Sequence, residues 1–305
     1  MDVSVAICTW NRADLLDQTL DGLTRMGVPE GVSWELLVVN NNCTDHTDVV
    51  IARYRDRLPL RPIHEPKQGL SNARNAAVAA AQGEYILWTD DDVLVDPQWM
   101  VAYRDAFRRW PEAQVFGGKV LPWFEAPPPD WLERHLDRLG RYFALRDFGD
   151  DEFIIPSGQN PYGANVAFRA EVLRQYRFNP ALGRKGNLLV SGEDAEVIGK
   201  IRAAGGTVAW IPSSKVRHFL PQSRMTLTYL RQLHYSNGYY EVGPVKSPKL
   251  RLGGYPPLLA LKWIKSEIGF RWGRLTKPRS YSWLESMIKA SSLAGRLAAT
   301  RASTR

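Results

Sequence analysis

The stretch from Tyr85 to Pro97, YILWTDDDVLVDP, constrains this chain more than any other. Its apolar run, Tyr85 to Trp88, reads as a buried strand that stops at three consecutive carboxylates, Asp90, Asp91 and Asp92. Three adjacent negative charges repel one another unless a cation or a network of donors compensates them. At the carboxyl end of a parallel strand, such a cluster sits where open α/β sheets place ligands. Hard oxygen donors suit Mg²⁺ or Mn²⁺, which keep coordination positions open for phosphate oxygens. The competing reading is a solvated acidic turn before a helix, for which Asp96-Pro97 is a good start signal.

The surrounding segments supply a sheet. Val3–Thr9, Trp34–Val39 and Leu60–His64 are short apolar or β-branched runs. Between them Leu15, Leu16, Thr19, Leu20 and Leu23 recur at helical spacing, and 45–57 and 70–81 read as further helices, the last with Ser71 as its N-cap. Strands alternating with helices predict an α/β fold, a mostly parallel Rossmann-like central sheet flanked by helices. The pattern continues with a helix over 97–110, strands at 115–121 and 164–168, helices over 169–176 and 193–204, and short strands at 207–211 and 215–218. From Met225 the chain reads as helices, interrupted by a Gly/Pro-rich patch over 243–257. Residues 122–160 set Pro127, Pro128 and Pro129 among Trp123, Phe124, Trp131 and Tyr142, an irregular segment of the kind that serves as a lid or binding loop. The domain reading is one domain over 1–224, with a nucleotide-binding half to residue 121 and an acceptor and catalytic half after it, then a helical C-terminal extension over 225–305.

Charge is unevenly spread. The net charge is +8, but residues 245–305 hold 13 Lys and Arg against Glu267 and Glu285, a net of +11, which leaves −3 for residues 1–244. The body is therefore no platform for nucleic acid. In the extension Leu258, Leu261, Trp263, Ile264, Ile268 and Trp272 mix with Lys262, Lys265, Arg271 and Arg274. That pattern predicts a membrane-surface segment for anionic lipid, with packing on the body or another subunit, or a nucleic-acid-binding tail, as alternatives. Cys8 and Cys43 make no disulfide framework and are expected as packed free thiols in a reducing compartment. The first strand begins two residues after Met1, which leaves no room for a signal peptide, and no run of 18 apolar residues predicts a transmembrane helix. The expected location is cytoplasmic, peripheral on the inner face of the plasma membrane.

Polar clusters fall at predicted strand ends: Thr9, Asn11 and Arg12, then Asn40, Asn41 and Asp45, then the Asp triad. In a doubly wound sheet these ends line one crevice. No GxxxxGK[ST] or GxGxxG loop follows the first strand, so a nucleotide would be held by side chains at base and ribose and by a metal at its diphosphate. Arg74 could add a cationic contact or could be an exposed helical arginine. Glu193 and Asp194 open a helix, with Ser191 at capping-box spacing, so they either cap it or present a general base to the crevice. His218, at the end of the last strand, is a metal ligand or a structural histidine.

Six segments, VSVAICTWNR, VVNNNCTDHT, GLSNARNAA, WTDDDVLVDP, YGANVAFR and SGEDAEV, together resemble the family-2 inverting nucleotide-sugar glycosyltransferases of the GT-A fold, over roughly residues 3–220. The resemblance implies that Thr9, Asn11, Arg12, Asn41 and Asp45 contact base and ribose, that Arg74 contacts the nucleotide, and that Asp90 lies near the ribose. It implies that Asp91 and Asp92, Asp92 foremost, hold the metal with His218, that Asp194 beside Glu193 is the catalytic base, and that Gly163 and Asn165 lie beneath donor sugar and acceptor. Asn40 stands where the family commonly has an Asp that reads the base, which leaves UDP, dTDP and GDP sugars open. Trp123 and Trp131 are expected to stack on an acceptor sugar. The implied activity is metal-dependent, inverting transfer to a glycan or lipid-linked saccharide, in bacterial surface polysaccharide or glycoconjugate synthesis. A sugar nucleotidyltransferase would need a Gly-rich basic loop after the first strand, which CTWNRAD is not, and a noncatalytic nucleotide-sugar binding module gives no reason for Glu193 and Asp194.

Overall fold

The structure is a computed structural model and describes residues 1–184, 192–240 and 256–302. Ser191 and nearly all of the 183–192 loop and of the 243–257 patch lie outside the described residues.

Among the described residues there are nine strands: β1 Val3–Thr9, β2 Trp34–Asn40, β3 Leu60–His64, β4 Tyr85–Trp88, β5 Val93–Val95, β6 Val115–Phe124, β7 Phe153–Ile154, β8 Val166–Arg169 and β9 Val208–Leu220. They form one sheet in the order β3-β2-β1-β4-β8-β6-β9-β5, with β7 also on β9. The β3-β2-β1-β4 block is parallel, and β8 joins it antiparallel to β4. Both faces of this block are covered, so its strands read as continuous apolar runs. Alternation of side chains sends Val5 and Ile7 to one face, against Leu16 and Leu20 of the Ala13–Leu23 helix. Ala6 goes to the other face with Ala73, Ala77 and Val78 of the Leu70–Ala80 helix. The small alanines let that helix lie close to the sheet. The C-terminal ends of β1, β2 and β4 therefore share one edge, carrying Thr9, Asn40 and the Asp triad.

Three local expectations change. The two short strands expected at 207–211 and 215–218 are one strand of 13 residues. Pro212 does not break it, because β7 pairs at 209–210 and β5 at 216–218, and the missing N–H falls in the gap between them. Val93–Val95, for which no element was expected, is a strand antiparallel to β9 with Val93 opposite His218. Ser71 is not the cap of its helix; Gly69 is, at φ 135°, a conformation open to glycine, while the Ser71 hydroxyl donates to the Leu182 carbonyl at 2.7 Å.

The chain divides into two compact units, one of Met1–Trp123 with Ala144–Phe219, the other of Phe124–Phe143 with Leu220–Arg305. The expected boundary near residue 224 thus omits Phe124–Phe143. Two short helices in that segment, Asp130–Glu133 and Leu136–Leu139, carry Leu132 and Leu139, which with Phe143 share a buried cluster with Leu230, Phe270, Leu284 and Met287. Trp131 packs edge-on to Phe143 in the same unit, centroids 5.9 Å apart, so it serves that core rather than an open loop. Among the described residues no helix is long and apolar enough to cross a membrane.

Candidate active site

The three aspartates have different partners, with Arg12 common to Asp91 and Asp92 and His218 common to Asp90 and Asp92. They follow the end of β4 at Trp88, with Asp91 and Asp92 in a turn before β5, and the turn spreads their carboxylates. Asp91 turns inward: its carboxylate accepts from the Thr9 hydroxyl at 2.8 Å and from Arg12 at 2.7 Å, and its carbonyl accepts from the Thr19 hydroxyl at 3.0 Å. Burial pushes its carboxyl up, and Arg12 opposes that. Asp91 is thus tied to the loop after β1 and lies outside the Asp90–Asp92–His218 group. Asp92 reaches both ways: its Oδ2 lies 2.9 Å from the same Arg12 nitrogen, while its Oδ1 turns, with Asp90, toward His218. The histidine Nε2 lies 3.5 Å from Asp92 Oδ1 and 3.8 Å from Asp90 Oδ2. The β5–β9 register is what brings His218 there, from more than a hundred residues away.

Chemistry of the donor set favours a cation. Donor atoms of Asp90, Asp92 and His218 all lie within 4.8 Å of one another. His218 Nδ1 is 3.0 Å from the Phe219 carbonyl, which can only accept, so Nδ1 carries the proton and Nε2 turns its lone pair toward the two carboxylates. Two oxygens and one imidazole nitrogen fit Mn²⁺, and Mg²⁺ with water completing its shell. The Asp90 carboxylate is half exposed, which leaves one side of the cluster open.

Arg74 links this cluster to the Glu-Asp helix. Its guanidinium pairs with Asp194, lies 3.5 Å from Glu193 and 4.0 Å from Asp90, and is 3% exposed. The rings of Trp88 and Phe178, edge-on to each other, lie 5.5 and 5.2 Å from it and hold the arginine in place. This disposes of the exposed-helix alternative. Asp194 is one of the first residues of the Glu193–Ala203 helix and stays partly open to solvent. Burial pushes its carboxyl up to about 6, Arg74 opposes, and Glu193 and Asp90 add to the rise. Gly163 lies directly against the pair: a Cβ there would collide with Arg74 and with the Asp194 carboxylate. Cys8 is no candidate nucleophile, since burial pushes its thiol up to about 12.

The asparagine loop is mostly self-contained. Asn40 donates to Asp48 at 2.7 Å and accepts from the Cys43 N–H at 2.8 Å. Asn41 donates to the carbonyls of Glu65 and Lys67, both at 3.0 Å, and accepts from the Gly69 N–H at 2.8 Å. Both amides are buried and engaged, so they shape the loop instead of reading a base. Asp45 accepts from the Ala13 N–H at 3.0 Å and from Thr47, tying the starts of two helices together. Burial acts to raise its carboxyl, but these hydrogen bonds leave it lowered. Asn11, at φ 51°, accepts from the Thr44 N–H at 2.7 Å and is otherwise exposed, as Arg12 partly is.

Asn165 has a different place from the one expected. It is fully buried; its oxygen accepts from Trp99 at 2.7 Å, Tyr103 at 2.8 Å and Ser214 at 3.2 Å, and its nitrogen donates to the carbonyls of Lys119 and Ser214. No capacity is left for an acceptor. Trp123 is half buried and stands edge-on to Phe219, the residue after His218, centroids 5.1 Å apart. Sequence reasoning missed Thr19, Trp88 and Phe178. Trp88 had a signal, since it immediately precedes the Thr89-Asp90 step; Phe178 had none.

Residues 4–177 match the model of glycosyl transferase family 2. The chain is 26% identical over 244 residues to the succinoglycan biosynthesis protein ExoM of Rhizobium meliloti, covering 78% of this chain and 73% of that one. It is 25% identical over 255 residues to the glucosyl-dolichyl phosphate glucuronosyltransferase of Haloferax volcanii, covering 78% and 76%. Its fold is similar to that of the mannosyltransferase PcManGT from Pyrobaculum calidifontis, solved in complex with GDP-Man and Mn²⁺, with TM-score 0.59, 18% identity and coverage of 97% and 86%. It is likewise similar to S. aureus TarS 1-349 in complex with UDP-GlcNAc, with TM-score 0.55, 14% identity and coverage of 96% and 90%. Matched by the family model over more than half its length, this chain belongs to glycosyl transferase family 2 and is a glycosyltransferase.

Proposed function

We propose that the enzyme is metal-dependent and inverting, and moves a sugar from a nucleoside diphosphate donor to a hydroxyl of a glycan or lipid-linked saccharide. One observation carries the reading: a single guanidinium, Arg74, pairs with Asp194 and lies 4.0 Å from Asp90, so a candidate base and a candidate cation site share one wall. Asp90, Asp92 and His218 would hold Mn²⁺ or Mg²⁺, and the bound ion would neutralise charge on the departing diphosphate. Asp194 takes the proton from the acceptor hydroxyl as that oxygen attacks the anomeric carbon opposite the diphosphate. The bond from that carbon to the diphosphate oxygen breaks, its electron pair leaves with the oxygen, and the anomeric centre inverts. Glu193, close beside Asp194, raises its basicity. Arg74 orients it and keeps it ionised near neutral pH. Arg12 and Asn11, open at the edge of the loop, are the contacts to base and ribose, with Thr9 and Asp91 fixing Arg12. Trp123 offers a ring face to the acceptor sugar.

Relatives support the acceptor class. One is named for succinoglycan biosynthesis and another for a glucosyl-dolichyl phosphate substrate. We therefore place the reaction in surface polysaccharide or glycoconjugate synthesis, by a cytoplasmic enzyme at the inner face of the membrane. Asp194→Asn is the test: nucleotide binding, read by thermal shift with UDP, GDP and dTDP, is retained, while transfer falls by about 10²–10⁴-fold. Full transfer in that variant rejects Asp194 as base, and transfer undiminished by a chelator rejects the metal.

A further inference from the structure

The helix Pro257–Thr276 has one face that none of the described residues of its own unit covers. Leu258, Leu261, Ile264, Ile268, Trp272 and Leu275 are 44–80% exposed. At 3.6 residues per turn they form a continuous stripe about 120° wide along the helix. The opposite side is the packed one: Ser266 and Phe270 are buried, and Gly269 and Gly273 lie against Ser286 and Trp283 of the Ser282–Ala302 helix. A helix meant only to pack would not place its largest apolar residues on the outside.

Charge says what covers the stripe. Arg271 borders it on one side and Lys262 on the other, Lys265 lies at its edge between Trp272 and Leu258, Arg274 is further round, and all four are exposed. The helix has one acidic residue, Glu267, which is 15% exposed and engaged by Arg231 and Arg271. A second copy of the same stripe would bring cation against cation along both borders. A surface that is apolar within and anionic at its boundary satisfies both features. We infer that this helix lies in the interfacial layer of an anionic bilayer, apolar stripe inward and lysines and arginines at the headgroups. The helix cannot span, because none among the described residues is long and apolar enough. The inference deepens the lipid-linked acceptor reading, on which it rests for its purpose.

The test uses the full chain, sedimented with phosphatidylcholine vesicles and with vesicles that also contain phosphatidylglycerol. The chain binds the anionic vesicles and not the neutral ones. Ile268→Glu with Trp272→Glu, and separately Lys265→Glu with Arg274→Glu, each weaken that binding about 20-fold or more. Melting temperature and transfer to a soluble saccharide stay at their original values, since these side chains lie outside both the core and the site. No binding to anionic vesicles by the unaltered chain, or binding that neither pair of substitutions weakens, overturns the inference. A dimer that the first pair dissociates, with no vesicle binding, gives the stripe to a second copy instead. Vesicle binding is read without donor or acceptor, so it stands or falls separately from the catalytic reading, which loss of all transfer in the unaltered enzyme would reject.

Discussion

Replacing Arg74 with methionine isolates what the buried guanidinium does. The methionine can still pack against Trp88 and Phe178, so the change is chiefly one of charge. Asp194 loses its counter-ion while Glu193 and Asp90 continue to repel its negative form. A hydrogen bond to a charged partner is worth about 1.5–3 kcal/mol. About 1.4 kcal/mol moves a pKa by one, so the acid limb of kcat/KM climbs roughly one to two pH units. In the unaltered enzyme that limb falls below about pH 6, the value to which burial pushes Asp194. In Arg74→Met it falls below roughly pH 7–8. Stability moves in a matching direction. The carboxyl binds its proton more tightly folded than unfolded, so the folded state holds the extra proton between the two pKa values, and stability declines as pH rises through that window. The variant accordingly loses more melting temperature between pH 5 and pH 8 than the parent does. Arg74→Lys, which keeps a charge, shifts the limb far less. An acid limb for Arg74→Met still near that of the parent would refute the pairing of Arg74 with the base.

Three further outcomes follow from the geometry. His218→Ala or Asp92→Ala removes a donor from the cluster, and thermal shift should show Mn²⁺ no longer enhancing nucleotide binding; unchanged enhancement would move the ion elsewhere. Asn165→Ala strands the donors of Trp99 and Tyr103 and the carbonyls of Lys119 and Ser214, for a loss of about 3–5 kcal/mol in denaturant unfolding. A variant as stable as its parent would show that Asn165 is not the tie it is described as. Gly163→Ala pushes on Arg74 and the Asp194 carboxylate, so kcat falls about 10–100-fold with melting temperature little changed.

Much of this was legible in the sequence because the signals were local. Apolar runs fixed β1, β2 and β4, and their abrupt polar ends marked the shared edge where the site lies. The Asp triad was visible, but the division of contacts within it was not, because it is set by a turn after β4 and by Arg12 and His218 from distant parts of the chain. His218 could be suspected but not placed, because its position depends on a strand register with Val93 that a three-residue run does not announce. Asn165 was misread for a related reason. A motif position gives a residue's neighbours along the chain, whereas its five hydrogen bonds come from a helix and two other strands. The affiliation of Phe124–Phe143 was hidden because prolines and aromatics look alike in an open loop and in a short buried helix.

The polypeptide passes between its compact units three times, at 123/124, 143/144 and 219/220. A unit sewn in at two places cannot be removed by one proteolytic cut or acquired by one end-to-end gene fusion. Deleting everything after Leu220 would strip Leu132, Leu139 and Phe143 of Leu230, Phe270, Leu284 and Met287 and invite aggregation. A lineage that gained this unit had to combine an internal insertion with a terminal addition and tune the two together. Exchange of the unit between relatives should therefore succeed only when both pieces travel as a pair.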